Sequence, residues 1–549
     1  MNNNKDDIAL QDYKDDDLAV VQTEDVTRDV DALPQVEAIH KGVTTQLKSQ
    51  TDMMTIRQTV SAFRRTVAVC VAAGVCAALD GYQYSIQNSI IANKGFIRQM
   101  APKGKSALDP VAVSTFGGLH AAGNVVGQFL IQYLSDWLGR IAAMWMCLAT
   151  LALGAIVESV SHVWWHWTIA KLITGIAIGS VQATLPLYIS EHAPSRVRGL
   201  LIVAYSMWYS FGILMGAVAL KVHRDADPYD WKSLIYSQFA MIGAIAVVYM
   251  FLPETPWYLV GKGKLDKCRK TLNKLNAKVP GYDVEQEIGI MAATIEVMRL
   301  ADIEGKRANG RFDIFKGLNG KRFLIGSYPK VLSSFVGLPV FSNYSTYFYQ
   351  LAGVADPFLA TVIQYSTQIV AVALDASLVD FLGRRRMTMI GFTGVCCGML
   401  MVATIGCFNY STPELGAALV FAGVTANFFN NFQTSTAYAY LNEMPEQRFR
   451  ARGSGWGLAY CNLYSVMFNF VTPLMLNRWN VRAAWLFVCT GIPGTVLAFF
   501  IMPESSRRSP AEIQELFVDH VPLRKWRGYK TNVERDLEER IARGEIVPI

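Results

Sequence analysis

Between Arg65 and Pro503 the chain is built from uncharged blocks of roughly 20 residues, the length at which an α-helix crosses a bilayer. Within hydrocarbon every backbone N–H and C=O must be satisfied internally, so blocks of this kind admit helices and little else. Only 17% of the 549 residues are charged, against about one quarter in soluble domains, and the charges gather in tails and loops. This patterning excludes a secreted disulfide scaffold, a disordered protein and a soluble nucleic-acid binder. The formal net charge of +7 reads as loop asymmetry rather than a site for a polyanion. Cys70, Cys76, Cys147, Cys396, Cys397, Cys461 and Cys489 all lie inside apolar blocks without metal-ligand spacing, and read as small apolar fillers.

The length criterion predicts twelve spans. Six lie near 66–86, 113–133, 141–160, 163–187, 199–220 and 233–252, and six near 324–350, 357–379, 386–407, 414–441, 453–475 and 481–502. The chain therefore divides into a largely disordered tail (1–65), a six-helix bundle (66–252), a lysine-rich linker with short helices (253–323), a second bundle (324–502) and a tail (503–549). No secretory signal opens it, residues 1–60 being polar. Arg140, Arg196, Arg198, the linker, Arg384 to Arg386, Arg448, Arg450 and Arg452 all fall on one side. The positive-inside rule makes that side cytoplasmic, with both termini on it, against one basic segment (Lys94, Arg98, Lys103, Lys105) outside.

Three signatures occur twice in the same order. Asp136-x-x-Gly139-Arg140 returns as Asp380-x-x-Gly383-Arg384. Glu191 with Arg198 and Gly199 returns as Glu443 with Arg450 and Gly453, and Pro253-Glu254 returns as Pro503-Glu504. Each pair is separated by roughly 250 residues, the mark of parallel repeats. Carboxylates and guanidinium groups at helix ends can pair between neighbouring helices, bidentately for arginine. We therefore expect Asp136, Arg140, Glu191, Arg198, Glu254, Asp380, Arg384, Arg385, Glu443, Arg450 and Glu504 to form a cytoplasmic gate that breaks when the halves rock.

These motifs, with Pro186-Leu-Tyr-Ile-Ser-Glu191-His-Ala-Pro194 and Pro253-Glu-Thr-Pro-Trp-Tyr-Leu259, resemble the sugar porters of the major facilitator superfamily. The likeness runs from Arg65 to about Tyr529, and the tail Glu512-Ile-Gln-Glu-Leu-Phe517 is similar to fungal members, including maltose and other α-glucoside permeases. The resemblance implies an all-α membrane protein of two six-helix bundles around one cavity. It also implies secondary active or facilitative transport of a hexose or α-glucoside by alternating access in the plasma membrane. The family's span-seven glutamines and asparagine fall, by alignment on Gly337, at Ser333, Ser334 and Pro339. Its span-five glutamine falls at Ser206, its span-ten tryptophan at Tyr438, and its span-eleven Asn-Trp pair at Cys461 and Asn462. Gln368 keeps the span-eight amide in kind, and Lys171 stands for the span-four arginine. The coupling aspartate of proton-driven relatives is replaced by Gln83.

Helix geometry suggests what fills the site. Asn427, Asn430, Asn431, Thr434 and Tyr438 share an arc of roughly 100° on span ten. Gln364, Gln368 and Asp375 share a face of span eight. Amides both donate and accept, which suits a polyol, and Tyr344 is among the aromatics on which a sugar face can stack. The substrate is therefore expected at Gln368, Asn427, Asn430, Asn431, Tyr438, Ser333, Ser334, Ser206, Asn462 and Tyr344, unless these amides serve as interhelical glue. Asp80, a carboxylate inside span one, either accepts a coupling proton with Lys171 nearby or forms a fixed pair with a basic partner.

No P-loop, Gly-x-Ser-x-Gly or metal-spaced His motif is present, so no enzyme activity, cofactor or metal is expected. The expected partners are a small polar substrate, protons and the bilayer, for a monomer without nucleic acid. Asn409-Tyr-Ser411 fits a glycan acceptor, but its closeness to the membrane edge argues against occupancy. Two other readings stay open: a carrier or exporter of a non-sugar metabolite, and a non-transporting sugar sensor.

Overall fold

The computed structural model describes residues 56–535 except 103–107, 278, 280–281, 309–312, 409–411, 447–449, 507, 509 and 533, with the backbone alone at 195, 301–308, 313, 380, 413, 450–454 and 510–511. The tail to residue 55, the Asn409 acceptor, Arg448 and the side chains of Asp380, Arg450 and Arg452 lie outside that description. No strand occurs among the described residues.

The first half comprises α1 (Ile56–Ala62), α2 (Arg64–Val75), α3 (Ala77–Ile90), α4 (Lys94–Met100), α5 (Pro110–Leu138), α6 (Arg140–Val160), α7 (Trp164–His192), α8 (Arg198–Ala226) and α9 (Lys232–Phe251). The linker carries α10 (Pro256–Gly261), α11 (Leu265–Asn276) and α12 (Val284–Ala308). The second half comprises α13 (Gly317–Phe335), α14 (Leu338–Asn343), α15 (Ser345–Leu351), α16 (Pro357–Leu382), α17 (Arg384–Ile405), α18 (Pro413–Glu443), α19 (Arg450–Trp479) and α20 (Ala484–Ile501), and α21 (Pro510–Val518) lies in the tail. These make twelve crossings in two sets of six, the first crossing being α2 with α3 and the seventh α13 to α15.

Nine helical stretches among the described residues are long and apolar enough to cross a membrane, and one of these, 455–501, holds two crossings. Span two (α5) and span seven are the exceptions. Span seven departs from the single helix expected over 324–350. Gly337 adopts a left-handed conformation at φ 101°, and Pro339 in the first turn of α14 has no N–H to continue the earlier helix. Phe251, Met250, Phe381 and Leu463 are among many large apolar side chains left exposed on the outer faces, which suits lipid and not water.

Glycine seams set the spacing within the first half. Gly123 and Gly127 of α5 face Gly175 and Gly179 of α7 so closely that a Cβ on Gly127 would stand 2.1 Å from the Ile176 carbonyl oxygen. A second seam joins α3 to α8, where a Cβ on Gly212 would stand 2.0 Å from the Ala78 carbonyl oxygen. The two halves meet along α5 with α19 and along α8 with α16.

Candidate functional site

Both duplicated motifs fold alike. The long helices α5 and α16 end at Gly139 and Gly383, at φ 107° and 84°, and the next helix starts at once with an arginine. In each, a glutamate from beyond the sixth span caps that start: Glu254 accepts from the Arg140 N–H at 3.0 Å, and Glu504 from the Arg384 N–H at 3.0 Å. Arg140 then grips Glu191 through Nη2 at 2.8 Å and Nε at 3.1 Å, and Asp136 through Nη1 at 2.9 Å. Arg384 pairs with Glu443, while Arg385 caps on Glu504 at 3.4 Å and donates to the Phe499 carbonyl at 2.7 Å. A fourth duplicated element escaped the sequence reading. Tyr188 donates to the Pro253 carbonyl and Tyr440 to the Pro503 carbonyl, each at 2.7 Å. Arg198 leaves its Nε without a partner. Every ion pair described at this end closes within one half.

Most of the described bonds that cross between the halves gather at the other end. Tyr84 of α3 donates to Asn343, Asn88 to the Ser342 carbonyl at 3.2 Å, and Ser89 shares a hydrogen bond with Thr346 at 2.8 Å. Ser114 of α5 donates to the Phe470 carbonyl at 2.5 Å. Arg224 of α8 holds Asp356 bidentately at 2.8 and 2.9 Å, and Lys221 adds a bond at 3.1 Å. Burial opposes ionisation of Asp356, yet the bonds from Arg224, the Leu359 N–H and Lys221 hold its carboxyl down to about 2. The molecule is thus fastened at this end, and the two gate arrays stand in separate halves. Tyr344 is buried there, packed against Gly117 of α5, and its hydroxyl donates to the Asn469 carbonyl of its own half at 2.8 Å.

Midway along the helices a file of amides runs from one half into the other. Asn462 of α19 donates to Gln128 at 3.1 Å, Gln128 to Asn124 at 2.8 Å, Asn124 to Gln182 at 3.3 Å, and Gln182 to Asp80 at 3.4 Å. The sequence reading held Asn462 and Asp80, the two ends, and missed the three residues between them. The spacing of Asn124 and Gln128, four apart on one helix face, was the available signal. Across from this file, Asn427 donates to Gln368 at 3.3 Å and Asn431 to the Asn427 carbonyl at 2.9 Å. Tyr205 lies close to both Asp80 and the exposed Tyr438, which places Tyr438 where the halves face each other.

Other expected residues are engaged elsewhere. Asn430 accepts from the buried Gln433 at 2.6 Å, and Gln433 abuts Gly391 of α17, inside the second half. Ser333 donates to the Lys330 carbonyl at 2.6 Å and Ser334 is buried. Ser206 makes a 3.4 Å bond to the Ile202 carbonyl of its own helix. Lys171, expected beside Asp80, instead pairs at 2.8 Å with Glu158 of α6, both fully buried. Gln83 and Gln238 donate to the same carboxylate at 3.0 and 3.3 Å, so four helices share one charge. This assembly satisfies each ion with hydrogen bonds, as burial in low dielectric demands. Asp80 has no cation at ion-pair distance among the described residues, and its Oδ2 is without a partner.

Residues 69–517 match the family model described as sugar (and other) transporter. Two low-affinity glucose transporters of Saccharomyces cerevisiae are similar: HXT3, 24% identical over 88% of this chain and 87% of its own, and HXT1, 24% identical over 83% and 82%. Among solved structures, the xylose transporter XylE from E. coli in a partially occluded inward open conformation superposes with TM-score 0.65 at 18% identity, over 82% of this chain and 100% of XylE. Its inward open conformation gives TM-score 0.65 at 19% identity, over 82% and 99%.

Proposed function

The chain belongs to the sugar (and other) transporter family, and from that premise we propose that its substrate binds midway across the membrane, between the file of amides ending at Asp80 and the wall formed by Gln368, Asn427, Asn431 and Tyr438. The protein is a membrane carrier of a sugar working by alternating access, and not an enzyme. The observation that carries the site is the amide file, because among the described residues it links the halves at mid-depth through groups that can also serve a polyol. The basic end, with the linker and both tails, faces the cytoplasm by the positive-inside rule, and the fastened end faces outward. The carrier works as a single chain in the plasma membrane.

In this reading Asp80 takes the coupling proton. A charged acceptor binds its donor more tightly than a neutral one, so protonation weakens the Gln182 bond and with it the file to Asn462. The test is uptake of labelled sugars into proteoliposomes of purified protein, with and without a proton gradient. Uptake driven by the gradient is expected for the wild type. Asp80→Asn keeps sugar exchange and loses the response to the gradient; an undiminished response would place coupling elsewhere.

A further inference from the structure

Lys330 is a second lysine inside a membrane-crossing helix, and the sequence reading passed it over. It lies thirteen residues into α13 and six into the span expected from 324, roughly 9 Å inside it at the helical rise. Its ammonium sits 4.4 Å from the centre of the Tyr438 ring, on the side of α18 that faces the first half, and one turn along α13 from Ser327, whose carbonyl accepts from Cys461, the neighbour of Asn462. Lys330 is half-buried, and among the described residues no carboxylate lies at ion-pair distance from it. Asp80, the buried carboxylate at the end of the amide file, is bonded to Gln182 instead.

An ammonium at this depth without a counter-ion is costly, and the face of one tyrosine offsets only part of that cost. Lys171 shows how this protein stabilises a lysine that has only to be buried: it is given Glu158 and full enclosure. Lys330 is left half-open at the place where the substrate passes. Around it stand hydroxyls and amides, with Ser327 and Ser334 one turn away on either side and Asn462 beyond Cys461.

We propose that Lys330 recognises an anionic group, so that the preferred substrate is a sugar acid, a polyhydroxylated molecule bearing one carboxylate, rather than a neutral hexose. The inference rests on the substrate site proposed above and sharpens its chemistry. One compact ammonium matches one negative charge; a phosphate ester would call for a second cation or an arginine fork, and neither is described beside Lys330. The carboxylate meets Lys330, the hydroxyls meet Gln368 and the amide file, and the C–H face lies on Tyr438.

The experiment is exchange in proteoliposomes of the full chain, each labelled solute against its own unlabelled form. The panel is D-glucuronate, D-gluconate, D-glucose and D-glucose 6-phosphate. The wild type is expected to exchange one of the two acids at least tenfold faster than glucose. Lys330→Gln is expected to lower that ratio at least tenfold, and Lys330→Arg to keep most of it. Glucose equal to or faster than both acids in the wild type overturns the inference and leaves the carrier reading standing, and this arm needs no variant to fold. Preference for the phosphate ester overturns the carboxylate, and an unchanged ratio in a folded Lys330→Gln overturns the role of Lys330. Exchange of none of the four overturns the substrate site and the inference together.

Discussion

The two halves agree closely at their basic rims and diverge between their helices. At the rims, glycine, arginine, capping glutamate and tyrosine recur with matching hydrogen bonds, 3.0 Å for both caps and 2.7 Å for both tyrosines. Between their helices, the first half holds a closed ionic cluster of Glu158, Lys171, Gln83 and Gln238 beside the amides that end at Asp80, whereas the second holds neutral amides and a half-open lysine. The rim chemistry is shared by the two halves, and the chemistry between the helices is not.

The largest effect should come from breaking the closed cluster. Glu158→Ala strands the Lys171 ammonium in a dry interior, at a cost of about 3–5 kcal/mol. Thermal unfolding in detergent should show that loss, and the double variant Glu158→Ala with Lys171→Met should recover most of it. A single variant as stable as the wild type would mean that water already reaches the pair.

A smaller effect tests the likeness of the rims. The Arg140 side chain is 11% exposed, whereas that of Arg384 is 28% exposed. Arg140→Ala should slow turnover about tenfold, as expected for the loss of charge-assisted bonds. Arg384→Ala should slow it less, and neither should change substrate affinity to that extent. Stopped-flow exchange with parallel binding measurements checks the order, and a reversed order would break the comparison.

The smallest effect concerns the bond that joins the halves at the fastened end. Asp356→Asn keeps the shape and loses the charge, so labelling of Ser342→Cys by an impermeant thiol reagent should quicken roughly threefold to tenfold. A carboxyl held low contributes fully above its ordinary value of 3.8 and loses that contribution as pH falls toward about 2. Labelling of the protein with native Asp356, divided at each pH by that of a freely exposed thiol to remove the loss of thiolate, should therefore stay flat from pH 7 to 4 and rise only below. A rise already at pH 6 would assign the outer fastening to another group.

Much of the scaffold was legible because it obeys local rules. Span length, the arginine after each Gly139 or Gly383, and the paired glutamates can all be read along the chain. Span seven was read as one helix because its apolar run is unbroken, while the break at Gly337 depends on one backbone angle. The central chemistry was less legible because it is assembled between helices. Glu158 lies two residues from the end of α6 and reads as an edge charge until α3, α7 and α9 close over it. Asn430 shares its helix arc with Asn427, yet the nearness of Gln433 turns it inward. Lys330 follows Pro329 in a stretch whose aligned family positions were already altered, and only its place over Tyr438 gives it meaning.

The glycine seams carry a mechanical consequence. Carbonyl oxygens of α7 and α3 occupy the space where side chains of α5 and α8 would otherwise lie, so neither helix pair can slide or flex against its partner without a clash. The first half is in effect a stiff lever. Compliance must then reside in the short pieces around Gly337 and in the polar fasteners on the far side, and mutations that soften those joints will set how fast the lever swings.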